Sequence, residues 1–158
     1  MSEIGRIIDQ MQRAFTAEAW CGSSLHEALA DVTAERAAAK PLADAHSIWE
    51  IVLHIAAWKG AIKQRLAGQH VTLPEEGDWP PVTDVSDLAW AESLARLDDR
   101  QEELMKVVRG INDDQLDETL QADRDRESGG GVSRYVTLHG ITQHDLYHAA
   151  QIALLKKV

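Results

Sequence analysis

The sequence predicts an all-α fold, an antiparallel four-helix bundle with short extra helices in its connections. Three observations predict it. Four long segments repeat apolar residues at three- and four-residue spacing, the period of one helix face. No stretch alternates apolar and polar residues as a half-buried strand does. Capping signals and glycines fall where several of the segments begin and end. At 158 residues the chain is expected to be one domain, residues 1–158, large enough for an ordinary core.

The first long segment, about Glu3 to Trp20, carries Ile4, Ile7, Ile8, Met11 and Phe15, with Arg6, Asp9 and Gln12 between them. Cys21-Gly22 punctuates it. Ser24-Leu-His-Glu27 matches a capping box, in which serine and a glutamate three residues later satisfy the first free N–H groups. A short helix is expected over Leu25–Leu29, and Thr33–Lys40 adds another turn before Pro41. This connection is longer than a tight hairpin needs, so part of it should pack across an end of the bundle. Ser47-Ile-Trp-Glu50 is a second capping box, and a long helix runs from it to about Ala67. Ile48, Ile51, Val52, Ile55, Ile62 and Leu66 form its apolar stripe, and Gly68 ends it.

Gln69 to about Asp84 reads as loop, because Pro74, Gly77, Pro80 and Pro81 exclude a continuous helix. A third long helix spans about Ser86 to Arg109, with Leu94, Leu97, Leu104 and Val108 on one face and Gly110 as its stop. Asn112 to Leu116 looks like a capped short turn. The charged stretch from Gln121 to Gly131, ending in three glycines, reads as a mobile linker. The fourth long helix runs from about Ser133 to Lys156.

The formal charge is -10 and no basic stripe offsets it, so a nucleic-acid partner is not expected. Cys21 is the single cysteine, which excludes an intrachain disulfide and a Cys-rich zinc site. The opening Met-Ser-Glu-Ile-Gly-Arg has no apolar core of signal-peptide type, and no apolar run approaches the ~18–20 residues that span a bilayer. The expectation is a cytoplasmic protein with a small-molecule substrate and no membrane partner.

The informative residue type is histidine, with seven copies against two tyrosines and one phenylalanine. On the fourth helix Ile141, His144, His148, Gln151, Ile152 and Leu155 share one face. That face should be a buried seam, yet three polar side chains interrupt it. Burying each costs about 1–3 kcal/mol unless it is paired. A histidine pair at i, i+4 is also a common way for one helix to offer two metal ligands. The bland reading is two core histidines bonded to carbonyls or to Gln151. A third ligand must come from another helix, and His54, beside Ile51 and Trp58 on the flank of the second stripe, is the best candidate. Three histidines would leave coordination positions open, as catalytic sites do.

The other four histidines compete poorly. His139 is turned ~140° from His144 on a helix, and reads as a packing or surface residue. His46 lies ~12 Å along the axis from His54. His26 and His70 fall in connections and should be solvent-exposed. Glu50, Gln151 and Asp145 could support a ligand from behind. Glu50 reads more simply as a cap and Asp145 as a solvated charge. Trp58, one turn beyond His54, is the tryptophan best placed to line a site. Most of the others, Trp20, Trp49, Trp79 and Trp90, read as core or pocket wall. The glycines at 129–131 lack the spacing of a nucleotide-binding loop.

Two of these motifs carry a family resemblance: Ser47-Ile-Trp-Glu-Ile-Val-Leu-His54-Ile-Ala-Ala-Trp58 and His144-Asp-Leu-Tyr-His148-Ala-Ala-Gln151-Ile152. With the segment Ala19 to Leu29, they resemble the DinB-like superfamily, the YfiT-type metal-dependent hydrolases, over nearly the whole chain. The resemblance implies a four-helix bundle of DinB/YfiT type holding a divalent metal, zinc or nickel, through His54, His144 and His148. It also implies a homodimer, and a hydrolase or a thiol S-transferase using a low-molecular-weight thiol such as bacillithiol or mycothiol. Ala150 departs from the glycine common before the glutamine, which narrows the space beside the site and removes no ligand. The competing expectation is a non-catalytic, metal-stabilised binding module or a helical dimerisation module.

Overall fold

The protein's computed structural model describes residues 1–120 and 131–158. The linker expected over Gln121–Gly131 lies, apart from Gly131, outside the described residues. The helices are α1 (Glu3–Phe15), α2 (Leu25–Leu29), α3 (Ala34–Ala38), α4 (Ile48–Leu66), α5 (Asp87–Val108) and α6 (Arg134–Leu155). A 3-10 turn, Asp113–Gln115, and two short strands, β1 (Thr119–Leu120) and β2 (Val132–Ser133), lie between α5 and α6.

Each α-helix starts where a side-chain oxygen can take a free N–H group. Ser2, Ser24, Thr33, Ser47, Ser86 and Ser133 all cap in this way, and Ser24 and Ser47 complete full capping boxes with Glu27 and Glu50. The start of α1 has a second anchor. Asp113 accepts the N–H groups of Glu3 (2.9 Å) and Ile4 (2.8 Å), which ties the far end of α5 to α1. The first helix stops at Phe15 rather than near Trp20; Glu18 adopts a left-handed backbone (φ 65°), and Trp20 is almost wholly exposed.

The four long helices pack as a bundle with two cores. One holds the C-terminal end of α1 (Phe15), the starts of α4 and α5, and the end of α6 (Ala149, Ile152, Leu155). The other holds Ile4 and Ile7, the ends of α4 and α5 (Leu66, Val108), and the start of α6 (Leu138, Ile141). Helices α1 and α6 therefore run one way, and α4 and α5 the other, an up-down-down-up arrangement. Parallel α4 and α5 need a long crossover, and residues 67–86 supply it. Gly68 (φ 86°) turns the chain out of α4, a conformation that L side chains rarely adopt. Short helices α2 and α3 lie in the other long connection. Their buried Leu25, Ala28, Leu29, Ala34 and Ala37 close the first core, as the length of that connection predicts.

One expectation fails in detail. The sequence shows no strand pattern, but Thr119–Leu120 pairs antiparallel with Val132–Ser133. Two residues per strand are too few for an alternating pattern to register. Among the described residues, no helix is long and apolar enough to cross a membrane.

Candidate metal centre

The site forms where α4 and α6 face each other. On α4 the stripe Ile48, Ile51, Val52, Ile55 is buried and carries His54 inward, leaving it 6% exposed. On α6, His148 follows the buried seam of Ile141, Ile152 and Leu155 and is 4% exposed. His144, one turn before it, is half-buried. The Nε2 atom of His144 lies 3.0 Å from Nε2 of His54 and 3.2 Å from Nε2 of His148. The three candidate ligands chosen from spacing are thus brought to one point, with a ligand atom from each within 4.8 Å of the others.

What stands behind two of the rings decides what their inner faces offer. His54 Nδ1 is 2.6 Å from the Asp78 carbonyl oxygen, which can only accept, so Nδ1–H donates to it. The Asp78 carboxylate lies 3.3 Å from the same nitrogen. His148 Nδ1 is 2.6 Å from Gln151 Oε1 and donates there. A neutral imidazole carries one N–H, so Nε2 of both rings presents a bare lone pair to the centre. His144 can give a proton to only one of them. If it does, the other stays unmatched; if it keeps its proton on Nδ1, that buried nitrogen has no partner. Three neutral imidazoles therefore cannot satisfy one another, whereas a cation accepts all three lone pairs. This donor set, backed by a carboxylate, a carbonyl and an amide, fits a divalent metal ion.

The electrostatics agree. Burial, then the neighbouring His148, His54 and Lys59, pull His144 down to about 3. Burial pulls His148 down to about 4, against the Gln151 hydrogen bond, which raises it. Burial also lowers His54, opposed by Asp78. The rings are neutral at neutral pH, the form a metal requires.

The α4–α5 crossover completes the site with residues that carry no periodic signal. Gly77 (φ 90°) turns the chain so that Asp78 and Trp79 come over His54. Trp79 stacks on His54 (3.9 Å between ring centroids), stands edge-on to His148 (6.1 Å), and carries His46 on its other side (3.5 Å). Trp58 meets His54 edge-on at 6.4 Å and donates its Nε1–H to the Asp78 carboxylate (2.8 Å). Glu76 anchors the crossover by pairing with Arg96 and Arg100 of α5.

The remaining candidates sort cleanly. Gln151 supports His148, as its place on the seam suggested. Glu50 keeps its cap role, taking the Ser47 N–H (2.7 Å) and the Lys40 ammonium (2.9 Å) rather than reaching the cluster. His139 packs on Tyr135 (4.4 Å) away from the site. His26 is corrected: it is half-buried, bonded to Asp98 (2.7 Å) and packed on Phe15 (4.6 Å). Trp20 is the exception among the tryptophans, almost wholly exposed. The largest correction is Asp145. It is no solvated charge but 2% exposed, paired at 2.7 Å with the fully buried Lys59 of α4. Both residues sit in seam register, Lys59 between Ile55 and Ile62, Asp145 between Ile141 and His148. That register was the available signal.

With this geometry in place, comparison with known proteins adds the family. The family model of the DinB superfamily matches residues 19–152, and the chain belongs to that superfamily. No curated protein and no solved structure matches it.

Proposed function

We propose that this DinB superfamily member is a divalent-metal-dependent enzyme, a hydrolase or thiol S-transferase, with His54, His144 and His148 as the metal ligands. The observation that carries the reading is the meeting of three neutral imidazoles whose lone pairs no protein donor can all satisfy. Three protein ligands are what catalytic zinc sites use, leaving a position for water or substrate. Zinc or nickel suits imidazole donors. The chemistry such an ion supplies is Lewis acidity, which lowers the pKa of a water or thiol in the open position.

The chain's own residues do the rest. Asp78 and Gln151 hold two rings in the tautomer that points Nε2 inward, and Asp78 adds negative charge behind His54. Trp79 covers His54 and Tyr147 stands edge-on to His148 at 5.2 Å, keeping water from those faces. His144, the most open of the three, marks the side from which a substrate approaches. The homodimer stays part of the proposal, and the exposed Val136, Tyr147 and Leu154 of α6 offer apolar surface for it.

The test is a screen of zinc- and nickel-loaded protein against thiol-plus-electrophile pairs and simple ester and amide substrates. Turnover that disappears in His144→Ala/His148→Ala supports the reading. Inactivity of loaded protein across the screen moves it to a non-catalytic, metal-stabilised module.

A further inference from the structure

A cavity of about 320 Å³ opens between α4 and α6 beside the histidines. Its walls are apolar: Trp58 and Ile62 from α4, Val136 and Ile141 from α6, Leu120 and Val132 from the strand pair. His144 belongs to the same lining, and Trp58 also touches His54, so cavity and cluster are continuous.

The polar groups of the wall are engaged with backbone. Thr137 donates its hydroxyl to the Ser133 carbonyl (2.9 Å). Arg65 donates to the carbonyls of Val71 (2.6 Å) and Thr72 (2.9 Å), and its guanidinium stacks over Trp58 (5.4 Å). Among the described residues, no carboxylate lines the space. Gly140 is on its wall, and a Cβ built there meets nothing within 4 Å. A glycine inside a helix is less favourable than alanine, and here it leaves the cavity wide. The volume is at the lower end of small-ligand sites.

We infer that this cavity receives an uncharged hydrocarbon part of the substrate, an alkyl chain or a single aromatic ring, with the reacting bond beside His144. The inference rests on the metal-centre reading for the position of that bond. Trp79 covers the cluster over His54, so the cavity at His144 is the approach left for a substrate of this kind.

Two homologous series test it on protein loaded with zinc: straight-chain alkyl hydroxamic acids, which carry a metal-binding head, and the matching 1-alkanols, which do not. Calorimetry follows the first and methyl NMR of Ile62, Ile141 and Val136 the second. Affinity should rise roughly three- to fourfold per added methylene in both series until the cavity is full. Gly140→Leu, which fills the space with a better helix former, should remove the chain-length gain in both series. A flat alkanol series, or a gain that survives Gly140→Leu, overturns the hydrocarbon site. A normal alkanol series with hydroxamates no tighter than alkanols overturns the metal reading instead, and with it the placement of the reacting bond.

Discussion

The α4–α6 seam holds two buried polar groups that are built on opposite principles. Lys59 and Asp145 are a buried ion pair, 0% and 3% exposed at their side chains and 2.7 Å apart. Burial pushes the lysine down and the aspartate up, and each partner's charge opposes the shift. A few residues away, His54, His144 and His148 are neutral, and their lone pairs face one another. The first group closes its charge within the chain, although Asp145 Oδ1 is left without a hydrogen-bond partner; the second carries no charge and turns its lone pairs toward one point. The difference shows that buried polarity alone does not mark a ligand site. What distinguishes the histidine cluster is three ring nitrogens converging on one point with no opposite charge to meet them.

The sharpest way to break the contrast is to unpair the closed group. Lys59→Met leaves Asp145 buried without its counter-charge and should cost about 3–5 kcal/mol in denaturant unfolding. Lys59→Met/Asp145→Leu should restore most of that loss, because an apolar pair of similar volume replaces an ion pair at little cost. If single and double variants are equally unstable, the pair is not the self-contained unit described. The histidine cluster should respond to a different variable, the ion. At free zinc 100 times its dissociation constant, unfolding free energy should rise by about 2.7 kcal/mol. The rise should be kept in Lys59→Met/Asp145→Leu and absent in His144→Ala/His148→Ala. An equal rise in all three would place the ion elsewhere.

A smaller effect is expected behind the ligands. Gln151→Ala frees the His148 ring without removing a donor, and competition with a metal-binding dye should show affinity lower by about 10–100-fold. An unchanged affinity would mean that the Gln151 contact does not orient the ring. The pH dependence of the metal-free protein is a further check, small near neutrality and growing as pH falls. The folded-state values of all three histidines lie below the ordinary 6.5, so the unfolded chain takes up protons first as pH falls. Stability should be fully present above about 6.5 and decline toward the lower values of about 4 and 3. The slope is bounded at about 1.4 kcal/mol per pH unit for each histidine. His144→Ala should flatten it; an unchanged slope would assign it to other groups.

Much of this was readable from residue patterns. The capping boxes at Ser24 and Ser47 placed their helices within a residue, because the signal lies in the side chains that do the work. The three histidines were found because a polar side chain on an apolar stripe is conspicuous. What was missed had no such signature. The Asp78 group that fixes the His54 tautomer is a backbone carbonyl, which every residue has, and it arrives there through a crossover whose path depends on the α4–α5 orientation. Trp79 was one of several tryptophans with no periodic context. Lys59 and Asp145 were visible in seam register but are persuasive only as a pair, and pairing across two helices is not a local property. Parallel α4 and α5 likewise follow from tertiary packing, not from any one segment.

The most direct test of the central claim is the metal content of the protein purified without a histidine tag, beside His144→Ala/His148→Ala and Lys59→Met/Asp145→Leu prepared alike. One equivalent of a divalent transition metal is expected in the native protein and in the Lys59/Asp145 variant, and none in the histidine variant. Equal metal in native protein and histidine variant, or no metal in the native protein after incubation with zinc and nickel, would contradict it.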